Sequence, residues 1–305
     1  MQIRGVTIED TFAEAFGMRA ARLLITARTA RWAREAAQAC TGFATSVIGC
    51  GCEAGIEREL TPADTPDGRP GVAVLFFALK AEGLAAQLTA RIGQTVLTCA
   101  TASCYDGLPG APAHVPAGRA LRTFGDRFQI SKVLDGARVW RIPVMDGECL
   151  IQEQYGIQKG IGGGNFLIMG EDIDRTLEAA EAAVDAMRDV PGIILPFPGG
   201  VVRSGSKVGA RGYRGMIAST NDAYCPTLRP LTESALPEGV QAVLEVVIDG
   251  LDAAAIATAM RTGIDAACRP GIRAIGAGNY GGTLGPYHFH LHAVLGGRNA
   301  AEAGS

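Results

Sequence analysis

One carboxyl group in this chain is surrounded by apolar side chains. Glu245 lies within Val-Leu-Glu-Val-Val-Ile, residues 243–248, where a strand would make Val243 and Val247 its neighbours on the same face. In such a setting the pKa of a carboxyl group is raised, so that it stays protonated near neutral pH. A neutral carboxylic acid can donate a hydrogen bond to a developing oxyanion, or a proton to a leaving nitrogen. The residues alone also allow a simpler interpretation, in which Glu245 lies on an edge strand and faces water.

Two polar segments precede Glu245 along the chain. Residues 196–209 combine glycines with hydroxyl groups, which would let backbone N–H groups approach an anionic ligand, with Lys207 as a positive charge. Residues 219–226 bring an amide, a carboxylate and a phenol into one loop. The candidate substrate-binding residues of the two segments are Ser206, Lys207, Asn221, Asp222 and Tyr224. Either segment could equally be an elaborate turn, and neither contains the phosphate-binding P-loop sequence of nucleotide-binding proteins.

Three of the four histidines form a group that a metal could use. His288, His290 and His292 alternate, and a strand would place all three imidazoles on one face. No carboxylate lies within this triplet, so we favour a polar strand face at a subunit contact or in solvent and predict no metal site. Cys50 and Cys52 are the closest cysteine pair, but no second pair follows at the spacing of zinc ligands.

The composition limits the class of protein. Of the 305 residues, 48% are hydrophobic and 19% are charged, and the formal net charge is −3. This content of apolar side chains predicts a folded chain, and the near-neutral balance without a basic block argues against nucleic acid as a partner. We expect no membrane partner, because no apolar run approaches the roughly 20 residues that span a bilayer. The N-terminus lacks the apolar core of a signal peptide, so we expect the eight cysteines to be reduced thiols in the cytoplasm.

The elements that would position these residues follow from an internal repeat. An apolar strand, a helix with apolar residues at a 3.6-residue period and a second strand occur four times. The four copies are strand 22–27, helix 30–40 and strand 43–48; strand 72–79, helix 82–92 and strand 95–99; strand 166–169, helix 173–187 and strand 193–195; and strand 243–248, helix 256–267 and strand 272–275. Gly42 and Gly93 are predicted to end the first two helices, Gly42 in the left-handed conformation.

Two copies in succession give the βαββαβ order of a ferredoxin-like split βαβ unit. We therefore predict an α+β fold with two ferredoxin-like lobes, the N-terminal lobe over residues 1–119 and the C-terminal lobe over residues 161–296. Between them, residues 120–160 alternate in polarity and contain two Asp-Gly turns, which predicts a β-hairpin insertion. The tail, residues 297–305, is expected to be disordered.

The third and fourth copies can be compared because Pro-Gly ends the helix of each. Phe166 lies 25 residues before Pro191, and Glu245 lies 25 residues before Pro270. Glu245 is therefore predicted to occupy the strand position at which the third copy has phenylalanine. A carboxyl group in place of an aromatic ring favours a functional role for Glu245.

Long and uncommon strings occur over nearly the whole chain, apart from about residues 106–120 and the tail. They are residues 8–16, 41–48, 65–71, 91–94, 163–166, 196–200, 206–209, 219–227, 278–282 and 290–292. In these strings the chain resembles the family of formylmethanofuran:tetrahydromethanopterin formyltransferases. The strings are long rather than short patterns, so the resemblance is specific.

The resemblance implies a function, an assembly and a site. It implies formyl transfer between the amine of methanofuran and N5 of tetrahydromethanopterin, which are co-substrates, with no metal and no permanently bound cofactor. It implies a homotetramer of two-lobed subunits with substrates in clefts near subunit contacts, and a role for Glu245 at the tetrahedral intermediate. The strings rich in glycine would add substrate-binding residues, namely Gly163, Gly164, Asn165, Gly278 and Asn279.

The content of Ala, Gly and Arg resembles that of bacterial members that oxidise formaldehyde to formate through the same pterin. There the family's relative belongs to a formyltransferase/hydrolase complex, which predicts transfer from formyl-pterin to a methanofuran-like carrier and partner subunits that release formate. An alternative is a non-catalytic subunit that binds pterin or holds partner subunits together, and such a subunit would tolerate loss of Glu245. A metal protein that uses the His and Cys groups is a third hypothesis.

Overall fold

Helices are interspersed among runs of strands along the chain, and the fold is mixed α/β. A computed structural model describes residues 1–298 and the backbone of residues 301–302. The helices are α1 (Ala30–Thr41), α2 (Val47–Cys50), α3 (Ala81–Arg91), α4 (Ala117–Leu121), α5 (Ile173–Met187), α6 (Ala253–Ala267) and α7 (Leu291–Leu295). Within these described ranges, no helix has both the length and the apolar character needed to cross a membrane.

The strands differ widely in length. They are β1 (Gln2–Ile3), β2 (Val6–Ile8), β3 (Phe12–Thr26), β4 (Glu53–Leu60), β5 (Gly71–Ala78), β6 (Ser103–Asp106), β7 (Ala113–Val115), β8 (Ile130–Leu134), β9 (Ala137–Val144), β10 (Gly147–Gln152), β11 (Tyr155–Gly170), β12 (Ile193–Ile194), β13 (Ser206–Val208), β14 (Ala218–Thr220), β15 (Ala242–Gly250), β16 (Ile272–Gly276), β17 (Tyr287–His290) and β18 (Ala301–Glu302). β3 has 15 residues and β11 has 16. Each is long enough to pair with different strands along its two halves.

The chain forms two compact units, and neither is continuous in sequence. Unit A consists of Met18–Gly160 and Pro191–Pro196. Unit B consists of the remaining segments, which are Met1–Gly17, Ile161–Val190 and Phe197–Ser305. The predicted lobes were continuous, whereas the long strands β3 and β11 each run from one unit into the other. The first 17 residues therefore belong with the C-terminal segments.

Unit A contains an antiparallel arrangement of strands in the order β6–β3–β5–β4. α1 follows β3 and begins at Thr29, whose side chain accepts a hydrogen bond from the Trp32 N–H. The buried side chains of α1 are small, and they belong to the same apolar cluster as those of β3 and β5. α3 follows β5 and adds Leu84 and Leu88 to that cluster, so both helices bury their apolar faces in one core.

The predicted return strand at residues 43–48 is wrong, because this stretch leads into helix α2. Gly42 is extended, with φ −60° and ψ 151°, and Phe43 instead takes the positive φ of 51°. The Ser46 hydroxyl then accepts a hydrogen bond from the Ile48 N–H and caps α2. The return strand is β4, which begins at Glu53.

The predicted return strand at residues 95–99 is also wrong. Gly93 does not end α3, since the chain continues as a π-helix over Ile92–Val96. The Thr95 hydroxyl donates to the Arg91 carbonyl at 2.7 Å, and the Thr98 hydroxyl donates to the Gln94 carbonyl at the same distance. These hydrogen bonds to carbonyls four residues earlier satisfy the threonine hydroxyls within the helical turns. The strand that follows is β6, four residues beyond Cys99.

β8, β9 and β10 form an antiparallel meander within residues 120–160, where the sequence predicts hairpins. The turn between β8 and β9 is Asp135-Gly136, and both residues have positive φ, 49° and 80°. Two positive φ angles give a turn whose twist matches that of the flanking strands. β10 pairs with β6, so the meander extends the strands of unit A.

Unit B has a sheet in which the strand order is β1–β2–β16–β11–β15. α5 and α6 follow β11 and β15, and each helix is capped by an aspartate, Asp172 for α5 and Asp252 for α6. The buried sides of α5 and α6 pack against each other and against β15. The opposite face of the sheet bears a separate apolar cluster, formed by Leu167, Met169, Leu236, Val240 and Ala274 with Tyr224 and Val243.

The predicted disordered tail, residues 297–305, lies mostly outside the described residues. Its described part includes β18, which pairs antiparallel with β17. β17 in turn pairs with the first residues of β3, from Phe12 to Ala15. The N-terminal part of β3 is thereby joined to the C-terminal segments of unit B.

Gly156 offers a test of the packing of unit A. A Cβ atom at this position would lie 2.0 Å from the Leu108 carbonyl oxygen, a backbone atom that cannot move away cheaply. We expect Gly156→Ala to lower the free energy of unfolding by about 3 kcal/mol, as measured by urea denaturation. The control is Gly110→Ala, where a Cβ would meet nothing within 4 Å. Equal stability of the two variants would contradict the close approach.

Candidate active site

Glu245 lies in the middle of β15, and both edges of the strand are occupied at this point. Its N–H donates to the Val202 carbonyl at 2.9 Å, and the Val202 N–H donates to the Glu245 carbonyl at 2.7 Å. On the other side, Glu245 stands directly opposite Leu167 of β11. The interpretation of Glu245 as a residue of a free edge strand is therefore wrong.

The predicted equivalence of Glu245 and Phe166 is also wrong. Directly opposite residues of antiparallel strands project to the same face of a sheet, and Phe166 is opposite Val246 rather than Glu245. The Phe166 ring lies beside Gly263 of α6, on the helix-covered face. Glu245 shares the other face with Val243 and Leu167, because side chains alternate along each strand. The Pro-Gly motifs align the ends of the helices but not the register of the strands.

The carboxyl group of Glu245 is half-buried, and this burial raises its pKa to about 7. Within residues 1–298, no hydrogen bond or ion pair to this carboxyl group is formed. Gly205 comes close, since a Cβ there would lie 3.9 Å from Glu245 Oε2 and 4.0 Å from the Cβ of Asn221. Glu245 is thus a carboxylic acid that exchanges its proton near neutral pH and has hydrogen-bonding capacity to spare.

Glu14 is a second important carboxylate, and the sequence analysis did not select it as a site residue. Its side chain is 1% exposed and accepts backbone hydrogen bonds from one glycine-rich turn. The donors are the N–H groups of Tyr280 at 2.6 Å, Gly282 at 2.9 Å, Leu284 at 2.6 Å and Gly285 at 2.6 Å. Burial alone would raise the pKa of Glu14, but the four N–H donors outweigh it and lower the pKa. Glu14 is therefore an ionised carboxylate inside unit B.

Tyr280 belongs to the turn that Glu14 holds. Its ring is half-buried and its centroid lies 6.2 Å from that of Phe16. Burial raises the pKa of the Tyr280 phenol, and the charges of Glu245 and Glu14 raise it further. The phenol thus stays protonated and lies in the field of both carboxyl groups. Its position within the string 278–282 was the only sign of it in the sequence.

Asn165 and Gly278 lie together, as the resemblance implies for two residues of one site. The Asn165 amide donates to the carbonyls of Gly163 and Gly278, both at 3.1 Å, and accepts from the Gly278 N–H at 2.6 Å. These bonds hold β11 against the turn. Asn279 is exposed, and its amide donates to the Phe12 carbonyl at 3.1 Å.

Gly163 and Gly164 differ in what they face. Gly163 has a positive φ of 92° and its N–H donates to Asp249 Oδ1 at 3.0 Å. Gly164 faces α6, where a Cβ would lie 2.4 Å from Ile256 Cγ2. Gly164 thus permits close helix packing on the face of the sheet opposite to Glu245.

The two polar segments form a hairpin and the loop that follows it. Lys207 on β13 is ion-paired with Asp222, and this pairing lowers the pKa of the Asp222 carboxyl. Ser206 stands opposite Thr220 at the end of the hairpin and is exposed. The Asn221 N–H donates to the Gly205 carbonyl at 2.8 Å, which places Asn221 next to the glycine that approaches Glu245.

Tyr224 lies in the apolar cluster on the Glu245 face of the sheet. Burial, followed by the charge of Glu9, raises the pKa of its phenol. The structure thus brings Asn221 and Tyr224 to this face of the sheet. The Lys207 ammonium group is ion-paired with Asp222, a partner that the sequence did not predict.

The three histidines do not share one strand face. β17 ends at His290 and α7 begins at Leu291, so His292 lies on a helix rather than on the strand. His292 Nε2 lies 2.9 Å from the Ile8 carbonyl, and His288 Nε2 lies 3.2 Å from the Gly285 carbonyl. In the part of the chain that the structure describes, no three His, Cys, Asp or Glu side chains are grouped so as to hold a metal.

These features are typical of an enzyme with a mixed α/β fold, in which a carboxyl group with a pKa of about 7 and a phenol could serve proton transfer. Comparison with family models is more specific. Residues 1–144 match the family described as formylmethanofuran-tetrahydromethanopterin formyltransferase, and residues 147–294 match the proximal lobe of the same enzyme. The chain belongs to the formylmethanofuran-tetrahydromethanopterin formyltransferase family, and the resemblance found in its sequence is confirmed.

Individual relatives match along nearly their whole length. The formylmethanofuran–tetrahydromethanopterin formyltransferase of Methylobacillus flagellatus is 58% identical over 97% of this chain and all of the relative. Among solved structures, the formyltransferase from Methanosarcina barkeri has a TM-score of 0.92 at 49% identity, covering 96% of this chain and 100% of that one. A chain of the formyltransferase/hydrolase complex from Methylorubrum extorquens, determined with methylofuran, has a TM-score of 0.94 at 50% identity, covering 97% and 98%.

The raised pKa of Glu245 predicts how stability depends on pH. The pKa is about 7 in the folded protein against 4.5 for a free side chain, so this group stabilises the fold at low pH and loses that contribution as pH rises through 7. Between about pH 5 and about pH 8, wild type should lose about 2 kcal/mol more unfolding free energy than Glu245→Gln. Urea unfolding at both pH values measures the difference.

The matched control is Glu238→Gln, an exposed glutamate of the same unit, which should follow the wild-type pH dependence. Parallel profiles of wild type and Glu245→Gln would contradict the raised pKa.

Proposed function

We propose that this protein transfers a formyl group between N5 of tetrahydromethanopterin and the amine of methanofuran or an analogue. The observation that carries the proposal is the Glu245 carboxyl group, half-buried on a strand paired on both sides and with a pKa of about 7. Family membership and a relative that is 58% identical support the same reaction. Both coenzymes act as co-substrates, and the reaction as proposed uses no permanently bound cofactor.

The proposed chemistry is the exchange of one C–N bond for another at the formyl carbon. The amine of the accepting coenzyme attacks the formyl carbon, and the carbonyl oxygen becomes an oxyanion. The protonated Glu245 donates a hydrogen bond to this oxyanion or its proton to the nitrogen that leaves. The resulting carboxylate takes up the proton released by the attacking nitrogen, so the acid is restored. A pKa of about 7 suits both directions of proton transfer at neutral pH.

We propose that three groups of residues bind the two coenzymes beside Glu245. They are Gly163, Gly164 and Asn165; Ser206, Lys207, Asn221, Asp222 and Tyr224; and Gly278 with Asn279. Support is strongest for Asn221, which adjoins Gly205, and for Gly278, which is hydrogen-bonded to Asn165. Support is weakest for Gly164, because the space in front of its Cα atom is occupied by the Ile256 side chain.

The proposed setting is formaldehyde oxidation to formate in a methylotroph, in which formyl-pterin gives its formyl group to the methanofuran-like carrier. The likeness to a chain of a formyltransferase/hydrolase complex supports a partnership with hydrolase subunits. A homotetramer is also proposed, and exposed apolar side chains such as Phe43, Met145 and Leu231 support contacts with further subunits. The eight free cysteines support a cytoplasmic location, where thiols are kept reduced.

We also propose that the two units have ferredoxin-like cores, one within residues 1–119 and one within residues 161–296, with the meander of residues 120–160 as an insertion. In unit A the support is the order β6–β3–β5–β4, with α1 and α3 as the two crossings. In unit B the support is the strand order β16–β11–β15, with α5 following β11 and α6 following β15.

The alternative is a non-catalytic subunit that binds pterin or holds hydrolase subunits together. Such a subunit would keep its loops, but it would have no use for a carboxylic acid with a pKa near 7. Half-burial of Glu245 costs stability at neutral pH, and this favours the enzyme over the scaffold.

The test is formyl transfer from formyl-tetrahydromethanopterin to a furan amine by the purified protein. Glu245→Gln should lower kcat on the order of 10²-fold, because the amide keeps a hydrogen-bond donor but cannot transfer a proton. The wild-type rate should fall as pH rises through about 7, where the Glu245 carboxylic acid loses its proton. This decline, the alkaline limb of the pH–rate profile, should be absent in Glu245→Gln.

The control for this assay is Glu238→Gln, which should retain the wild-type rate and the alkaline limb of the pH–rate profile. A rate unchanged by Glu245→Gln would refute the mechanism. Pterin binding without transfer in any variant would favour the scaffold function.

A further inference from the structure

Glu14 is a buried charged group for which the transfer chemistry has no direct use. Its two carboxylate oxygens divide the four N–H donors evenly. Oε2 accepts from Tyr280 and Gly282, and Oε1 accepts from Leu284 and Gly285. A glutamine at this position would offer one oxygen and would direct an NH₂ group at two N–H donors. The arrangement is therefore specific for an ionised carboxylate.

The turn held by Glu14 contains two residues in a conformation that glycine adopts readily. Gly281 and Gly282 both have φ of 73°, and the N–H groups of residues 280, 282, 284 and 285 point to the carboxylate. At the far end, Gly285 packs so tightly that a Cβ would lie 2.3 Å from the Ala15 carbonyl oxygen. At the near end, the Glu14 N–H donates to the Gly278 carbonyl at 3.2 Å. Both ends of the turn are thus fixed to β3 around one side chain.

Tyr280 is the only aromatic residue among residues 280–285. Its N–H is one of the four donors, and its ring contacts Phe16, two residues beyond Glu14 on the same strand. Its phenol lies in the field of Glu245 as well as of Glu14. Any movement of the turn therefore moves the phenol relative to the carboxylic acid.

We propose that Glu14 is a positioning residue, whose carboxylate fixes the turn of residues 280–285 and thereby holds the Tyr280 phenol beside Glu245. This proposal rests on the proposed formyl transfer, because it assigns the phenol a place at the same site. Glu14 itself does not touch the reacting atoms. His288 stands opposite Glu14 on β17, and its ring nitrogen lies 3.2 Å from the Gly285 carbonyl. Tyr287 and His290 are the other titratable side chains of that strand.

The first test compares Glu14→Gln with wild type over about pH 5.5 to about pH 8.5. We expect kcat to fall on the order of 10²-fold, because a small displacement of a site group costs that much. We also expect the alkaline limb of the rate to move below pH 7, since a displaced turn admits water to Glu245 and its pKa falls. A role in general stability would leave the position of this limb unchanged.

The matched control is Glu57→Gln in unit A. Glu57 is also buried and also accepts a backbone N–H, that of Gly192 at 2.8 Å, together with the Arg22 guanidinium. It should lower the unfolding midpoint and leave the pH limb in place. A shifted limb in this control would overturn the proposal, because loss of stability alone would then explain the shift.

A double-mutant cycle tests whether Glu14 acts through Tyr280. If it does, Glu14→Gln combined with Tyr280→Phe should lose little more kcat than the larger of the two single losses. Additive losses would overturn the route through Tyr280.

Two further measurements test the positioning role of Glu14 without relying on Glu14→Gln activity. If Glu14→Gln does not fold, Gly281→Ala perturbs the same turn from its open side, where a Cβ meets nothing within 4 Å but φ is 73°. It should move the limb in the same direction, while Gly110→Ala should not. An infrared titration of the Glu245 carboxyl, assigned by its loss in Glu245→Gln, reads the same shift without activity.

The outcomes separate the two proposals. An active wild type with an inactive Glu245→Gln and an unaltered Glu14→Gln overturns the positioning role alone. A wild type without transfer refutes the proposed function, and an unshifted infrared titration then overturns the positioning role as well.

Discussion

The removal of one carboxyl group from water is the constraint on which the site depends. Glu245 would have the pKa of an ordinary carboxyl group if water reached it freely. Its pKa of about 7 requires that the surrounding groups exclude water and supply neither a positive charge nor hydrogen-bond donors to the carboxylate. Unit B achieves this with a strand paired on both sides, an apolar cluster on the same face, and Gly205 as the close neighbour. A positive partner or strong donors would have lowered the pKa, as they do at Asp222 and Glu14.

The two carboxyl groups show how environment divides roles between identical side chains. Glu14 is the more deeply buried of the two, yet it is ionised, because backbone N–H groups replace the water it has lost. Glu245 has no such donors within residues 1–298 and keeps its proton. One carboxyl group therefore serves as a fixed structural charge and the other as an exchangeable acid. The helices of unit B lie on the other face of the sheet, where they support the strands without entering the site.

Much of the fold could be predicted, because helices and long strands have local signals. The four helices of the repeat begin and end close to their predicted bounds, and the raised pKa of Glu245 could be predicted from its apolar neighbours. Features set by distant contacts were not predictable. Phe166 and Glu245 differ in face because strand register depends on partner strands, and the threonines of residues 95–98 bond locally rather than to a strand. Glu14 was missed because its four donors are 266 to 271 residues away.

The long strand β3 has a consequence for the order in which the molecule is completed during synthesis. Glu14 leaves the ribosome as a hydrated carboxylate, because its partners in the turn of residues 280–285 are made 266 to 271 residues later. Unit A, which needs residues 18–160 and 191–196, can gather its core in the meantime. The dehydration of Glu14 therefore has to wait until the turn has been made, and a chain interrupted before the turn would retain a solvated carboxylate on an unfinished sheet.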